Sequence, residues 1–133
     1  MDTYVVDSSA AIEYLLRTPA GLVFADTIAE CSLAAPELFD AEVVSAMRRF
    51  VANEAISVAR AEALLDNLAA FPIERVSHRF LTRTAWRYRD NVTAYDAMYV
   101  AVAVTRGAPL LTADGRLTRA PNLGIAVHHI QLS

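Results

Sequence analysis

The sequence predicts an α/β fold, a three-layer α/β/α sandwich with a central, mainly parallel sheet of about four to five strands. Short apolar runs alternate along the chain with longer segments whose apolar residues recur at helical spacing. Strands that are separated by helices pair in parallel, and such a sheet is covered by helices on both faces. The chain has no repeats, linkers or low-complexity segments, so we expect one domain over residues 1–133.

Most elements are bounded by a start or stop signal. Tyr4-Val5-Val6 predicts a strand that ends at Asp7, and a helix over residues 10–16 comes after it. The other predicted elements, in order, are a helix over 22–29, a strand over 33–36, a helix over 37–53, a helix over 58–70 capped by Ser57, a strand over 71–76, a helix over 78–88, a helix that opens at Thr93 and stops at Gly107, a strand over 110–112, a helical turn over 116–119 and a strand over 125–130.

Composition restricts the chemistry. All twelve basic residues are Arg, which excludes every mechanism that uses a catalytic lysine. The formal net charge is −3, but if four acids bind metal, the remaining eleven acids face twelve Arg, and local Arg clusters can hold phosphates. A single cysteine, Cys31, the lack of a signal segment and the lack of a roughly 20-residue apolar run predict a reduced, cytoplasmic protein.

Four acids lie where a common site can form. Asp7 and Asp114 come after apolar strands, with Ser8 or Ser9 beside Asp7 and Thr112 beside Asp114, so both acids are expected at the carboxyl edge of the sheet. Glu42 and Asp96 lie beside the apolar faces of their helices, within reach of that edge. Converging carboxylates repel one another unless a cation neutralises them, and Mg²⁺ or Mn²⁺ prefers oxygen ligands. Asp40 is a weaker candidate, because it points away from Glu42 on the same helix.

Each acid also has a structural explanation. Asp7 fits the N-cap of the first helix, unless Ser8 or Ser9 caps that helix and leaves Asp7 free. Thr93-x-x-Asp96 fits a capping box. Asp114-Gly115 is a common turn pair, and Glu42 is placed to pair with Arg49 on a solvated helix face. Considered alone, each acid is explained at least as well by its structural role as by a site, but the conjunction of all four favours a site.

The four segments together resemble the PIN-domain ribonucleases, and within them the VapC toxins of toxin-antitoxin pairs. The matching segments occur in the family's order and spread over residues 5–114. They are Val5-Val6-Asp7-Ser8-Ser9, Pro36-Glu37-Leu38-Phe39-Asp40-Ala41-Glu42-Val43, Ala94-Tyr95-Asp96-Ala97-Met98-Tyr99-Val100-Ala101 and Leu110-Leu111-Thr112-Ala113-Asp114.

The resemblance implies a PIN-like sandwich and a Mg²⁺- or Mn²⁺-dependent endoribonuclease. It implies that Asp7, Glu42, Asp96 and Asp114 form the acidic metal site and that Thr112 supports it. It further implies a homodimer and a small antitoxin protein whose tail covers the groove. The chain departs from some relatives in one respect, since Gly115, Arg116 and Leu117 stand where those relatives carry a further acid.

The chemistry expected of such a site is hydrolysis of RNA by a metal-activated water, which leaves a 5′-phosphate. Arg79, Arg83 and Arg87 recur every four residues on the predicted helix 78–88 and are candidate RNA contacts, although an ordinary solvated face explains them equally well. Two alternatives remain: a catalytically silent PIN-like interaction module, and a metal-dependent phosphatase, which the absence of Lys disfavours.

Overall fold

The computed structural model describes residues 2–120 and 122–130, in which five parallel strands form one sheet of order β3-β2-β1-β4-β5. The strands are β1 (Thr3–Val6), β2 (Ser32–Pro36), β3 (Glu74–Val76), β4 (Leu110–Thr112) and β5 (Val127–His129). The helices are α1 (Ser8–Leu15), α2 (Pro19–Ile28), α3 (Leu38–Ala52), α4 (Val58–Ala69), α5 (Thr82–Trp86), α6 (Ala94–Arg106) and α7 (Gly115–Arg119). The predicted α/β/α sandwich with a parallel sheet is confirmed.

The central strands are the most buried part of the sheet. Val5 and Val6 of β1 pair in register with Leu110 and Leu111 of β4, and all four side chains are at most 1% exposed. Each such side chain stabilises the fold by about 1.5–3 kcal/mol when it is fully buried. Because parallel strands end at the same edge, this register brings the residue after β1 beside the last residue of β4. The register therefore places Asp7 next to Thr112.

Side-chain caps fix where several helices begin. The hydroxyl groups of Thr18, Ser57 and Thr93 each accept a hydrogen bond from a backbone amide in the first turn of α2, α4 and α6. Gly107 ends α6 in the left-handed conformation that glycine adopts without strain, at φ 59°. These signals are local, and the elements that they bound are predicted to within a few residues.

The helices α1 and α2 pack unusually close together. A Cβ atom on Gly21 would lie 2.1 Å from the backbone oxygen of Glu13, so only glycine fits at this point of the contact. Phe24 of α2 is fully buried, and its ring makes an edge contact with Tyr14 of α1 at a centroid distance of 5.6 Å.

The predicted helix over residues 78–88 is wrong as a continuous element. Residues His78–Phe80 form a 3₁₀ turn, and α5 begins only after Leu81, whose side chain is 1% exposed. Packing Leu81 into the core requires the tighter turn, in which its amide bonds to the His78 carbonyl. Arg79 therefore lies in the 3₁₀ turn, whereas Arg83 lies in α5 and Arg87 caps its end.

The third strand is shorter than predicted because of Arg75. Its guanidinium donates to the carbonyl oxygens of Leu68, Phe71 and Ile73, so the chain before Glu74 curls around this side chain instead of pairing in the sheet. The same guanidinium binds Asp40 in a salt bridge with an N–O distance of 3.0 Å.

In the described part of the chain, no helix is long and apolar enough to span a membrane.

Candidate active site

Asp7 is held at the carboxyl end of β1 as the N-cap of α1. Its Oδ1 accepts a hydrogen bond from the Ala10 amide at 3.1 Å, as the capping interpretation predicts. The alternative in which Ser8 or Ser9 caps the helix and leaves Asp7 free is wrong, because Asp7 itself is the cap. The carboxylate nevertheless also belongs to a larger polar cluster.

Two hydroxyl groups orient the Asp7 carboxylate. Ser9 Oγ donates to Oδ1 at 2.7 Å and Thr112 Oγ1 donates to Oδ2 at 2.5 Å. The same hydroxyls accept hydrogen bonds from the amides of Ala113 and Asp114, at 2.9 and 2.8 Å. From the sequence, the Thr112 hydroxyl is expected to orient the Asp114 carboxylate. In the structure it donates instead to Asp7, at the end of the neighbouring strand β1. This network joins the ends of β1 and β4.

The Asp7 carboxylate is costly to ionise. Asp7 is 6% exposed, and this burial raises its pKa to about 6 although the Thr112, Ser9 and Ala10 hydrogen bonds act in the opposite direction. The negative charge of Asp114 raises the pKa further. A buried carboxylate with this pKa is the kind of group that a bound cation would stabilise.

Asp114 lies beyond β4 and is the N-cap of α7. Its carboxylate accepts hydrogen bonds from the Arg116 amide at 2.9 Å and from Arg116 Nη2 at 2.6 Å. The Arg116 hydrogen bonds hold the pKa of Asp114 below its ordinary value. Asp114 thus differs from Asp7 in having a cationic partner.

Glu42 and Asp96 complete the cluster from α3 and α6. Glu42 is half-buried and accepts a hydrogen bond from the Tyr99 hydroxyl at 2.7 Å. The alternative explanation of Glu42, an ion pair with Arg49, does not hold, because the described part of the chain has no salt bridge between them. Burial raises the pKa of Glu42, and the negative charge of Asp96 adds to this effect. Burial also raises the pKa of Asp96, which feels the positive charge of Arg116 and the negative charge of Asp114.

The four predicted acids are therefore electrostatically coupled. Asp7 interacts with Asp114, Asp114 with Asp96, and Asp96 with Glu42. Asp40 does not take part, since it pairs with Arg75. Within residues 2–120 and 122–130, no three Asp, Glu, His or Cys side chains are already arranged to hold a metal ion.

Comparison with known proteins identifies the family of the chain. The PIN domain family profile matches residues 4–123. Ribonuclease VapC1 of Mycobacterium tuberculosis is 42% identical over 125 residues, which cover 92% of this chain and 94% of that protein. The chain belongs to the VapC family of PIN-domain proteins. Ribonuclease VapC12 of the same organism is 37% identical over 86% of this chain and 89% of its own length.

Solved VapBC structures share the fold of this VapC-family chain. A chain from the crystal structure of VapBC2 from Rickettsia felis bound to a promoter DNA fragment superposes with a TM-score of 0.71 at 13% identity, over 97% of this chain and 99% of that one. A chain from DNA-bound VapBC of Salmonella typhimurium gives a TM-score of 0.67 at 15% identity, over 98% and 100% of the two chains. These likenesses establish the fold.

Two residues of this VapC-family site are not predicted from the sequence. Tyr99 lies in the apolar run of α6 and has the pattern of a core residue, but a buried tyrosine hydroxyl requires a partner, and this signal points to a nearby acceptor. Arg116 stands out in the sequence only as the residue that replaces an acid of some relatives. The structure shows it bound to Asp114.

The candidate RNA-contacting arginines lie on the surface. Arg79, Arg83 and Arg87 are exposed, and the Arg79 guanidinium stacks over the Phe80 ring at 5.3 Å. In the described part of the chain, no hydrogen bond or ion pair joins any of the three to the four acids. Their interruption by the 3₁₀ turn removes the continuous helix face on which the prediction depends.

Proposed function

We propose that this chain is a divalent-metal-dependent endoribonuclease and the toxin of a toxin-antitoxin pair. The observation that carries the proposal is the chain of electrostatic contacts that links the buried Asp7 carboxylate, at the carboxyl edge of the parallel sheet, to Asp114, Asp96 and Glu42. Relatives at 37–42% identity are named ribonucleases, which supports the reaction class.

The donor chemistry of the cluster fits Mg²⁺ or Mn²⁺. All four candidate ligands are carboxylates, and hard divalent cations of this kind prefer oxygen donors. The raised pKa values of Asp7, Glu42 and Asp96 indicate surplus negative charge in a partly desolvated place. Among the described residues, Arg116 is the one cation that forms a salt bridge with these acids, and it binds Asp114 alone. A divalent ion would relieve the repulsion between Asp7 and Asp114 and between Glu42 and Asp96.

Each residue then has a separate task. Asp7, fixed by Ser9 and Thr112, would be the central ligand, with Asp96, Asp114 and Glu42 completing the set. Tyr99 holds the Glu42 carboxylate in a single orientation. When bound, the metal would supply an activated water and would stabilise negative charge on the reacting phosphate. In the proposed hydrolysis, water bonds to phosphorus and the P–O3′ bond breaks, so one product carries a 5′-phosphate and the other a 3′-hydroxyl.

The decisive test is RNA cleavage by the purified chain with Mg²⁺, with Mn²⁺ and with EDTA, beside Asp7→Asn. We expect cleavage only with metal, and a loss in Asp7→Asn larger than the roughly 10–100-fold cost of disturbing a residue behind the metal ligands. Asp66→Asn, an exposed acid of α4, is the matched control and should cleave normally. Equal cleavage by wild type and Asp7→Asn would overturn the role of Asp7 as a metal ligand. No cleavage with either metal would support a silent interaction module instead.

The partners belong to the same proposal. The VapBC complexes with this fold support a small antitoxin protein as a partner. A homodimer is supported by the exposed aromatic side chains of Phe80, Trp86 and Tyr95, which are 65–74% accessible in the single chain. Light scattering of the purified chain would test the dimer, and copurification with the product of an adjacent small gene would test the antitoxin.

The RNA surface is proposed to include Arg79, Arg83 and Arg87. Their exposure leaves all three guanidinium groups available to phosphates. If they contact RNA, a triple Arg→Gln variant will raise the KM for RNA and leave kcat nearly unchanged. A fall in kcat at unchanged KM would argue against this surface.

A further inference from the structure

Arg116 is the one basic residue in the described part of the chain that forms a salt bridge with a proposed metal ligand. It binds Asp114 through its backbone amide, Nε and Nη2, at distances between 2.6 and 3.1 Å. Both carboxylate oxygens of Asp114 are engaged by the guanidinium. The charge of Arg116 also acts on Asp96. The rest of the guanidinium is exposed, with 76% of the side chain accessible to solvent.

A divalent cation and this guanidinium require the same Asp114 oxygens. Both are positively charged, so they also repel each other at contact distance. A cation that uses Asp114 must therefore displace Arg116. The backbone bond from the Arg116 amide to Asp114 Oδ1 does not require the guanidinium, so the carboxylate keeps its orientation when the side chain leaves.

The Arg116 side chain, once displaced from Asp114, can move into a cavity that it already lines. This cavity of about 240 Å³ is lined by Arg116 itself, by Asp96 and Arg119, and by the chain around Val92. The positive charge of Arg119 also reaches Asp114. With Arg116 released from its carboxylate partner, the two guanidinium groups at this cavity would attract an anion such as a phosphate.

We propose that Arg116 is an internal competitor of the divalent cation at Asp114, and that cation binding transfers its guanidinium from Asp114 to a phosphate of the RNA. This inference rests on the proposed metal-dependent function. It makes Arg116 a positioning residue that links metal loading to substrate binding.

The first test is Mn²⁺ binding, monitored by electron paramagnetic resonance of the free ion, without RNA. Arg116→Gln should bind Mn²⁺ about two- to fivefold more tightly than wild type, the size expected when an exposed ion pair no longer competes. Arg119→Gln is the matched control, since it removes a nearby charge without a direct bond to Asp114, and should change the affinity less. Equal Mn²⁺ affinities in wild type and Arg116→Gln would overturn the competition.

The second test is RNA binding in Mn²⁺, monitored by the fluorescence anisotropy of a labelled single-stranded phosphorothioate RNA that is hydrolysed slowly. Arg116→Gln should bind this RNA more weakly although it binds Mn²⁺ more tightly. Tighter Mn²⁺ binding with unchanged RNA affinity would overturn the transfer to phosphate. If wild type binds no Mn²⁺ at all, the proposed metal-dependent function fails, which is a different outcome from equal affinities.

Discussion

Asp7 and Asp114 are the same structural motif used twice, with opposite electrostatic results. Each comes directly after or soon after a parallel strand of the central pair, each has an extended backbone, and each caps the next helix. Yet burial raises the pKa of Asp7 to about 6, whereas Arg116 lowers the pKa of Asp114. The motif fixes where the carboxylate is placed, and its surroundings decide which charge state is favoured.

Burial and the charge of the hydrogen-bond donors account for the difference in pKa. Asp7 is buried and receives only neutral donors, the hydroxyls of Ser9 and Thr112 and one amide. Asp114 precedes the five-residue α7 and lies nearer to solvent, where an arginine can reach it. Neutral donors cannot offset the desolvation of Asp7, so this carboxylate gains most from a cation.

The largest expected effect is on how the stability of the metal-free protein depends on pH. The folded-state pKa of Asp7 is raised from 3.8 to about 6. Its contribution to the free energy of unfolding is therefore fully present below pH 3.8 and is lost as the pH rises through about 6. The loss amounts to as much as about 3 kcal/mol. Asp7→Asn should therefore gain stability relative to wild type between pH 4 and pH 8, as measured by urea unfolding in EDTA.

Asp114→Asn provides the contrast. The folded-state pKa of Asp114 is lowered, so its contribution is present above pH 3.8 and is lost as the pH falls through the lower folded value. The two variants should thus diverge from wild type in opposite directions. Because Asn caps helices as well as Asp does, Asp114→Asn should stay within about 1 kcal/mol of wild type at pH 7. Parallel pH profiles for wild type and Asp7→Asn would refute the assignment of Asp7.

The sequence predicts the framework because its signals are local. Val5, Val6, Leu110 and Leu111 form short apolar runs bounded by polar turn residues, a pattern that favours buried strands. Thr93 and Gly107 bound α6 as a cap and a stop. The failures depend on tertiary contacts. Packing of Leu81 breaks the helix predicted over 78–88, and no pattern within that segment indicates this.

The same distinction applies to the site. The ends of the predicted strands locate Asp7 and Asp114. However, the Thr112 hydroxyl bonds to Asp7 because β1 lies beside β4, and the residue pattern within β4 does not indicate which strand is its neighbour. Tyr99 escapes prediction because it shares the burial of the surrounding apolar residues. Its partner, Glu42, is 57 residues away in the chain.

Loss of the Thr112 hydroxyl should have the next largest effect, because this group supports Asp7. Thr112→Val keeps the volume of the side chain but removes the donor to Asp7 and the acceptor for the Asp114 amide. We expect a loss of about 1–3 kcal/mol in the free energy of unfolding, because buried polar groups lose their partners. The pKa of Asp7 should rise further, which would make Asp7 resemble Asp114 even less. Urea unfolding at pH 7 measures the first effect.

Thr105→Val is the matched control for this change. Thr105 lies near the end of α6, where its hydroxyl bonds to the Ala101 carbonyl and the residue is exposed. Loss of the Thr105 hydroxyl should lower the free energy of unfolding by no more than about 0.5 kcal/mol. A cost in Thr112→Val as small as in Thr105→Val would show that the hydroxyl network does not hold the ends of β1 and β4 together.

The smallest effect is expected for Tyr99→Phe, which removes the hydroxyl that donates to Glu42. We expect a loss of about 1 kcal/mol in the free energy of unfolding at pH 8. Burial already raises the pKa of Glu42, and the Tyr99 hydrogen bond opposes this rise, so the variant should raise that pKa further. Since the bond favours the ionised carboxylate, the difference from wild type should shrink as the pH falls through the pKa of Glu42. Tyr95→Phe, an exposed tyrosine of the same helix, should match wild type throughout. A pH-independent difference in Tyr99→Phe would mean that the hydroxyl serves packing alone and does not orient the Glu42 carboxylate.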